Sequence, residues 1–173
     1  MVITGCRDYY DDNLEPVKDS VVAELIYDYQ LWMEDNLGIL DEELSEVEGW
    51  DHDISYLAEQ SWNSEYFIEE DYPGPENVMA YALPARGRII LITAHPIWDF
   101  VLNDYENIKS YYYRCELGGD RWILQTSRGF NTLAHENAHN IFIEPHEDVY
   151  LLGDTVQYIR ESHINVWKEE CGI

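Results

Sequence analysis

The sequence predicts an α+β protein, and three observations carry that expectation. Apolar residues in the first third recur at helical spacing. Residues 78–94 then hold two β-rich runs around a Pro/Gly turn. Hydrophobic residues make up 46% of the 173, enough for one buried core despite a net charge of −25. A single domain over residues 1–173 is expected, with an acidic helical part at 1–75 and a sheet and motif part at 76–173.

The elements follow in order. LEPVKDSVVAELIYDYQLWMEDNLG places Val17, Val21, Leu25, Tyr29 and Trp32 on one helical face, with Gly38 as a stop. DEELSEVEGW reads as a shorter acidic helix, and residues 51–75 are mixed up to a Pro/Gly breaker. ENVMAYALP and GRIILITA form a hairpin through PARG. PIWDFVLNDYENI is a short helix, and KSYYYRCEL and RWILQTS are strands around GGD. Phe130, Leu133, Ala134, Ala138, Ile141 and Phe142 then suit a buried helix, which Pro145 should end near Ile143. Asp154 and Gln157 have capping spacing for a last helix along Val156, Ile159, His163 and Val166, ending before Gly172.

Charge and cysteine content narrow the function classes. Residues 1–75 hold 21 acids against Arg7 and Lys18, while residues 76–173 hold 14 acids against eight bases. Such a field repels nucleic-acid phosphates and attracts basic partners. A solvated face, high-salt adaptation (there are only three Lys) and imitation of DNA all account for it. Cys6, Cys115 and Cys171 are too far apart for a CxxC pair and read as isolated reduced thiols. No apolar run approaches the ~20 residues of a membrane span. The start MVITGCRDYYDDN lacks the basic and apolar regions of a signal peptide, so a cytoplasmic location is expected.

The chemistry concentrates in TLAHENAHNIFIEPHEDVY. His135, Glu136 and His139 form HExxH, which puts two imidazoles one turn apart on one helix face. Two such rings can bind one Zn²⁺. Glu136 is free to take a proton from the water that the metal activates. Around the motif, TLAHENAHNI carries no charge but Glu136 and whatever the histidines hold, as a packed active-site helix requires. A catalytic zinc also needs a third protein ligand. His146 follows the break at Pro145, and Glu161 and His163 are rivals on the last helix. Glu147 and Asp148 are candidates to orient a ligand imidazole. Tyr150 and Tyr112 are candidates to stabilise an oxyanion. DHD at 51–53 is a weak cation-binding candidate.

This stretch resembles the active-site segment of the WLM family of metalloproteases, related to SprT. His135, Glu136, His139, Asn140, Pro145, His146 and Tyr150 match its pattern in order. The spacer here is one residue longer, and Glu144 stands where the family has Gly. The resemblance implies His135, His139 and His146 as zinc ligands and Glu136 as general base. MAYALPARGRIILIT is similar to the strand pair ahead of HExxH in other zincins. A zincin-like fold is implied, with the first helix as backing helix, a small mixed or antiparallel sheet, the active-site helix and a C-terminal helix.

The expected function is zinc-dependent peptide-bond hydrolysis, with a basic protein or peptide as substrate and no direct nucleic-acid binding. The alternative is an acidic DNA-mimicking inhibitor of the anti-restriction type, its zinc site structural or vestigial.

Overall fold

The computed structural model describes residues 14–17, 21–75 and 77–173. It is an α+β structure with six helices and a four-stranded mixed sheet among those residues. The helices are α1 (Val21–Asp35), α2 (Leu37–Ser45), α3 (Ile54–Ser61), α4 (Pro96–Tyr113), α5 (Gly119–Asn140) and α6 (His146–Cys171). The strands are β1 (Glu15–Pro16), β2 (Glu65–Glu69), β3 (Ala80–Leu83) and β4 (Arg88–Ile92), in the order β1-β2-β4-β3. No described helix is long and apolar enough to cross a membrane.

The expected hairpin is present. β3 and β4 pair antiparallel, with Ala80 opposite Leu91, and Gly87 supplies the left-handed step (φ 62°) after the one-turn helix at Pro84–Arg86. β4 lies inside the sheet, parallel to β2 and antiparallel to β3. Its residues Ile89, Ile90 and Leu91 are fully buried, so both faces of this strand are covered. β3 forms one edge of the sheet.

Several sequence expectations are corrected. Glu15–Pro16 belongs to the sheet, and α1 begins at Val21; residues 18–20 lie outside the described residues. The break after α1 falls at Asn36, whose side chain turns back to the Trp32 carbonyl (2.8 Å), so Gly38 lies inside α2. KSYYYRCEL and RWILQTS are not strands. The first ends α4 and the second lies in α5, because Trp122, Ile123, Thr126 and Phe130 bury one helical face and packing overrides β propensity. Of GGD, Gly118 is the N-cap of α5 (φ 104°), and Gly119 and Asp120 already lie in its first turn. α6 starts at His146 and not at Asp154. Pro145 occupies its N-cap, and Glu147 and Asp148 lie in the first turn, where the helix dipole favours acids. Asp154 and Gln157 instead receive the Asn131 amide (3.2 and 2.8 Å), which ties α6 to α5.

Cys115 and Cys171 are joined in a disulfide across 56 positions, contrary to the expectation of isolated thiols. It fastens the turn after α4 to the last residue of α6. Sequence spacing alone does not disclose such a pair, because the two helices meet only after folding. Cys6 lies outside the described residues.

One core unites the acidic and motif parts. Tyr29 and Trp32 of α1 set their rings against Phe130 of α5 at 5.6 and 5.8 Å, so α1 packs against α5. α5 and α6 pack side by side at Gly153. A Cβ added there would stand 2.3 Å from Asn131 Oδ1 and 3.1 Å from the Asn131 carbonyl oxygen. Gly38 has nothing within 4 Å of the same position. Gly153→Ala should therefore destabilise by ~1–3 kcal/mol in urea unfolding, whereas Gly38→Ala should stabilise by ~0.5–1 kcal/mol. Equal effects would show that the α5–α6 approach is looser than described.

Candidate metal centre

α5 ends in a turn that decides where His146 goes. The Phe142 N–H bonds to the His139 carbonyl and the Ile143 N–H to the Ala138 carbonyl, both at 3.1 Å. This is the Schellman pattern, which satisfies the last carbonyls of a helix and reverses the chain. Phe142 takes the left-handed step (φ 58°), which glycine usually fills. Ile143 is buried beside Ala138 and supplies the apolar contact that such turns carry. Two residues later Pro145 starts α6, and His146 becomes its first residue, facing back toward α5.

The three imidazoles now converge. His135 Nε2 lies 3.0 Å from His139 Nε2, which lies 3.3 Å from His146 Nε2. Together they are close enough to hold a metal ion. Burial lowers the pKa of His135 to about 4, with His139 and His146 adding to the shift. Burial and then His146 also lower that of His139. Both rings are thus held neutral at pH 7, the form that coordinates metal.

Glu136 is 8% exposed and follows the first imidazole in the chain, and no basic side chain among the described residues pairs with it. Burial raises its carboxyl to about 8. It lines a cleft of about 290 Å³ together with His135, Tyr150, Asp154 and residues 77–80 at the start of edge strand β3. Tyr150, one turn beyond His146, places its ring 4.7 Å from those of both His135 and His146.

The other candidates go elsewhere. Glu161 accepts from Gln157 (3.0 Å), and His163 accepts from the Trp32 indole (3.3 Å). Both stand more than ~20 Å along α6 from His146 at 1.5 Å per residue. Tyr112 stacks on Trp167 at 5.9 Å, away from the triad. Asp148 bonds to His52 (2.9 Å), and Glu147 is exposed, so neither orients a triad imidazole. That same bond occupies His52 of DHD, and Asp53 caps α3 through the Tyr56 N–H (3.2 Å), which gives the motif a structural role.

Sequence reasoning missed the support beneath the motif. Asn137 donates to Tyr66 Oη (3.1 Å) and to the Leu133 carbonyl (2.8 Å), and accepts from Ser64 Oγ (2.7 Å). This buried network ties α5 to β2 and to the turn before it, and so fixes the rotation of the helix. The available signal was a second polar residue directly after Glu136 in an otherwise apolar face.

With Co²⁺ as a spectroscopic probe, His146→Ala should weaken binding by more than about 100-fold, whereas His163→Ala should leave it unchanged. The opposite ranking would remove His146 from the site.

Comparison with protein-family models, curated proteins and solved structures returns no match for this chain.

Proposed function

We propose that this protein is a zinc-dependent metallopeptidase of zincin type, as the resemblance to the WLM family implies. The observation that carries the reading is a cluster of three imidazoles next to a buried carboxylate, with His135 and that carboxylate lining one cleft. An all-imidazole donor set suits zinc. Tetrahedral geometry with Zn–N bonds of ~2.0–2.1 Å separates ligand nitrogens by about 3.3–3.4 Å. The His139–His146 Nε2 separation of 3.3 Å matches that spacing, and the His135–His139 separation of 3.0 Å is slightly shorter. Three protein ligands leave a fourth position for chemistry.

A zinc ion held there supplies Lewis acidity, which makes water nucleophilic near neutral pH and polarises a carbonyl. Glu136 takes the proton of the attacking water, holds it on its carboxyl group and delivers it to the leaving amine. Its burial suits that role, because a base with a pKa near the working pH can both accept and return a proton. The Tyr150 hydroxyl, one helical turn from His146, donates toward the oxygen on which charge develops. Edge strand β3 begins at the same cleft, and an extended peptide adding to that strand lays its backbone beside Glu136.

Acidic side chains support a basic substrate. Asp41, Glu42, Glu43, Glu46 and Glu48 are all exposed on and just after α2. Charge of this sign speeds encounter with cationic polypeptides and opposes nucleic acid.

The test is hydrolysis of a Lys/Arg-rich fluorogenic peptide library by the zinc-loaded protein. Glu136→Gln should keep zinc and fold but lower kcat by about 10²–10⁴-fold. Full activity in that variant would overturn the general-base role. Failure of the zinc-loaded wild type to cleave any peptide would overturn the peptidase reading.

A further inference from the structure

The cleft beside the metal centre is built as a ladder between two helices. Asn131, His135 and His139 stand one turn apart on α5, and His146, Tyr150 and Asp154 stand one turn apart on α6. Their side chains meet in reverse order. His139 faces His146 (3.3 Å between Nε2 atoms), His135 faces Tyr150 (4.7 Å between rings), and Asn131 faces Asp154 (3.2 Å). The imidazoles form one end of this ladder. Asp154 closes the other, ~12 Å along α6 from His146 at 1.5 Å per residue.

Asp154 is exposed, but it is held in place and it lies inside the cleft. Its Oδ1 accepts from the Asn131 amide, which also donates to Gln157 (2.8 Å). Asn131 is itself set by the close approach of Gly153. Apart from His135, Glu136 and Asp154, the residues lining the cleft are uncharged. Glu136 is buried, so Asp154 is the exposed carboxylate of this cleft. No Lys or Arg side chain among the described residues pairs with it. A cleft with neutral walls focuses the field of a fixed charge on whatever enters.

We infer, on the basis of the peptidase reading, that Asp154 selects a Lys or Arg side chain on a residue flanking the scissile bond. Residues 77–80, at the start of β3, line the same cleft, and a peptide laid along that strand turns its side chains to alternate faces. A side chain directed toward α6 must be long to pass Tyr150 and reach Asp154, and Lys and Arg have such stems. A Glu or Asp side chain in that place meets a like charge. Recognition is then local to the cleft and distinct from the long-range attraction by the acids of α2.

Calorimetry of the zinc-loaded protein with peptide hydroxamates tests this directly. The hydroxamate chelates the metal, and the probes carry lysine, norleucine or glutamate in turn at each of the two residues next to it. Norleucine keeps the lysine stem without the ammonium group. The charge of Asp154 also acts on His135, so zinc content is measured for each variant and the probes are compared within one protein. At one of the two positions the wild type should bind lysine about fivefold more tightly than norleucine, and glutamate the most weakly. Asp154→Asn keeps an oxygen for Asn131 and should erase the lysine advantage. Asp154→Lys should reverse the order in favour of glutamate, which a merely structural role would not do. The inference is overturned if the wild type shows no lysine advantage at either position, if Asp154→Asn retains it, or if no probe binds. Peptide cleavage separates this outcome from the fate of the peptidase reading. Cleavage indifferent to a neighbouring Lys or Arg would overturn the role of Asp154 and support the peptidase. A lysine advantage lost in Asp154→Asn, in a protein that cuts no peptide, would support recognition by Asp154 and overturn the peptidase.

Discussion

The close antiparallel approach of α5 and α6 is the constraint on which the rest of the structure depends. Gly153 lets the second helix lie against Asn131, and Asn131 in turn holds Asp154 and Gln157. Helices with ordinary side chains at the contact sit 8–10 Å apart, and removal of a Cβ permits a nearer approach. The five-residue reversal between the helices takes the form of a Schellman turn through Phe142 and Ile143. Together these place the first residue of α6 opposite the last turn of α5. His146 therefore faces His139 because two helices pack closely and the turn between them is short.

The same packing creates the electrostatics of the site. α5 is buried along Phe130, Leu133, Ala134 and Ala138, so Glu136 and Asn137 are drawn into the interior with them. Asn137 is satisfied by Tyr66, Ser64 and Leu133, whereas burial raises the Glu136 carboxyl to about 8 with no base among the described residues beside it. Two adjacent polar residues thus diverge in role. One anchors the helix, and the other is left as a carboxyl group whose charge only a nearby cation would stabilise. The His135 and His139 imidazoles are pushed the other way, toward neutrality, by the same burial. Neutral imidazoles are the form that coordinates a metal ion.

Much of this was legible in the sequence, and the unreadable parts share a physical cause. Local signals were readable: the β3–β4 hairpin around PARG, the i, i+4 pair His135 and His139, and the helix end before Pro145. Contacts set by tertiary packing were not. Tyr111–Tyr113 and Trp122–Leu124 carry strand-type residues, yet they lie in helices because Tyr105, Ile108 and Trp122 share one core. Spacing could not choose among His146, Glu161 and His163, because the choice rests on a reversal whose left-handed residue is Phe and not Gly. The Cys115–Cys171 bond and the β1–β2 pairing likewise emerge only when distant segments meet. The acidic segment was readable as charge, while its sharing of one core with the motif helix through Tyr29, Trp32 and Phe130 was not.

The central claim is that close α5–α6 packing assembles one metal site from three Nε2 atoms. Anomalous diffraction at the zinc absorption edge, from crystals of protein loaded with one equivalent of zinc, tests it most directly. The account predicts a single strong peak ~2.0–2.1 Å from Nε2 of His135, His139 and His146. A peak bound to any other set of side chains, or no peak from crystals shown to contain zinc, would contradict it.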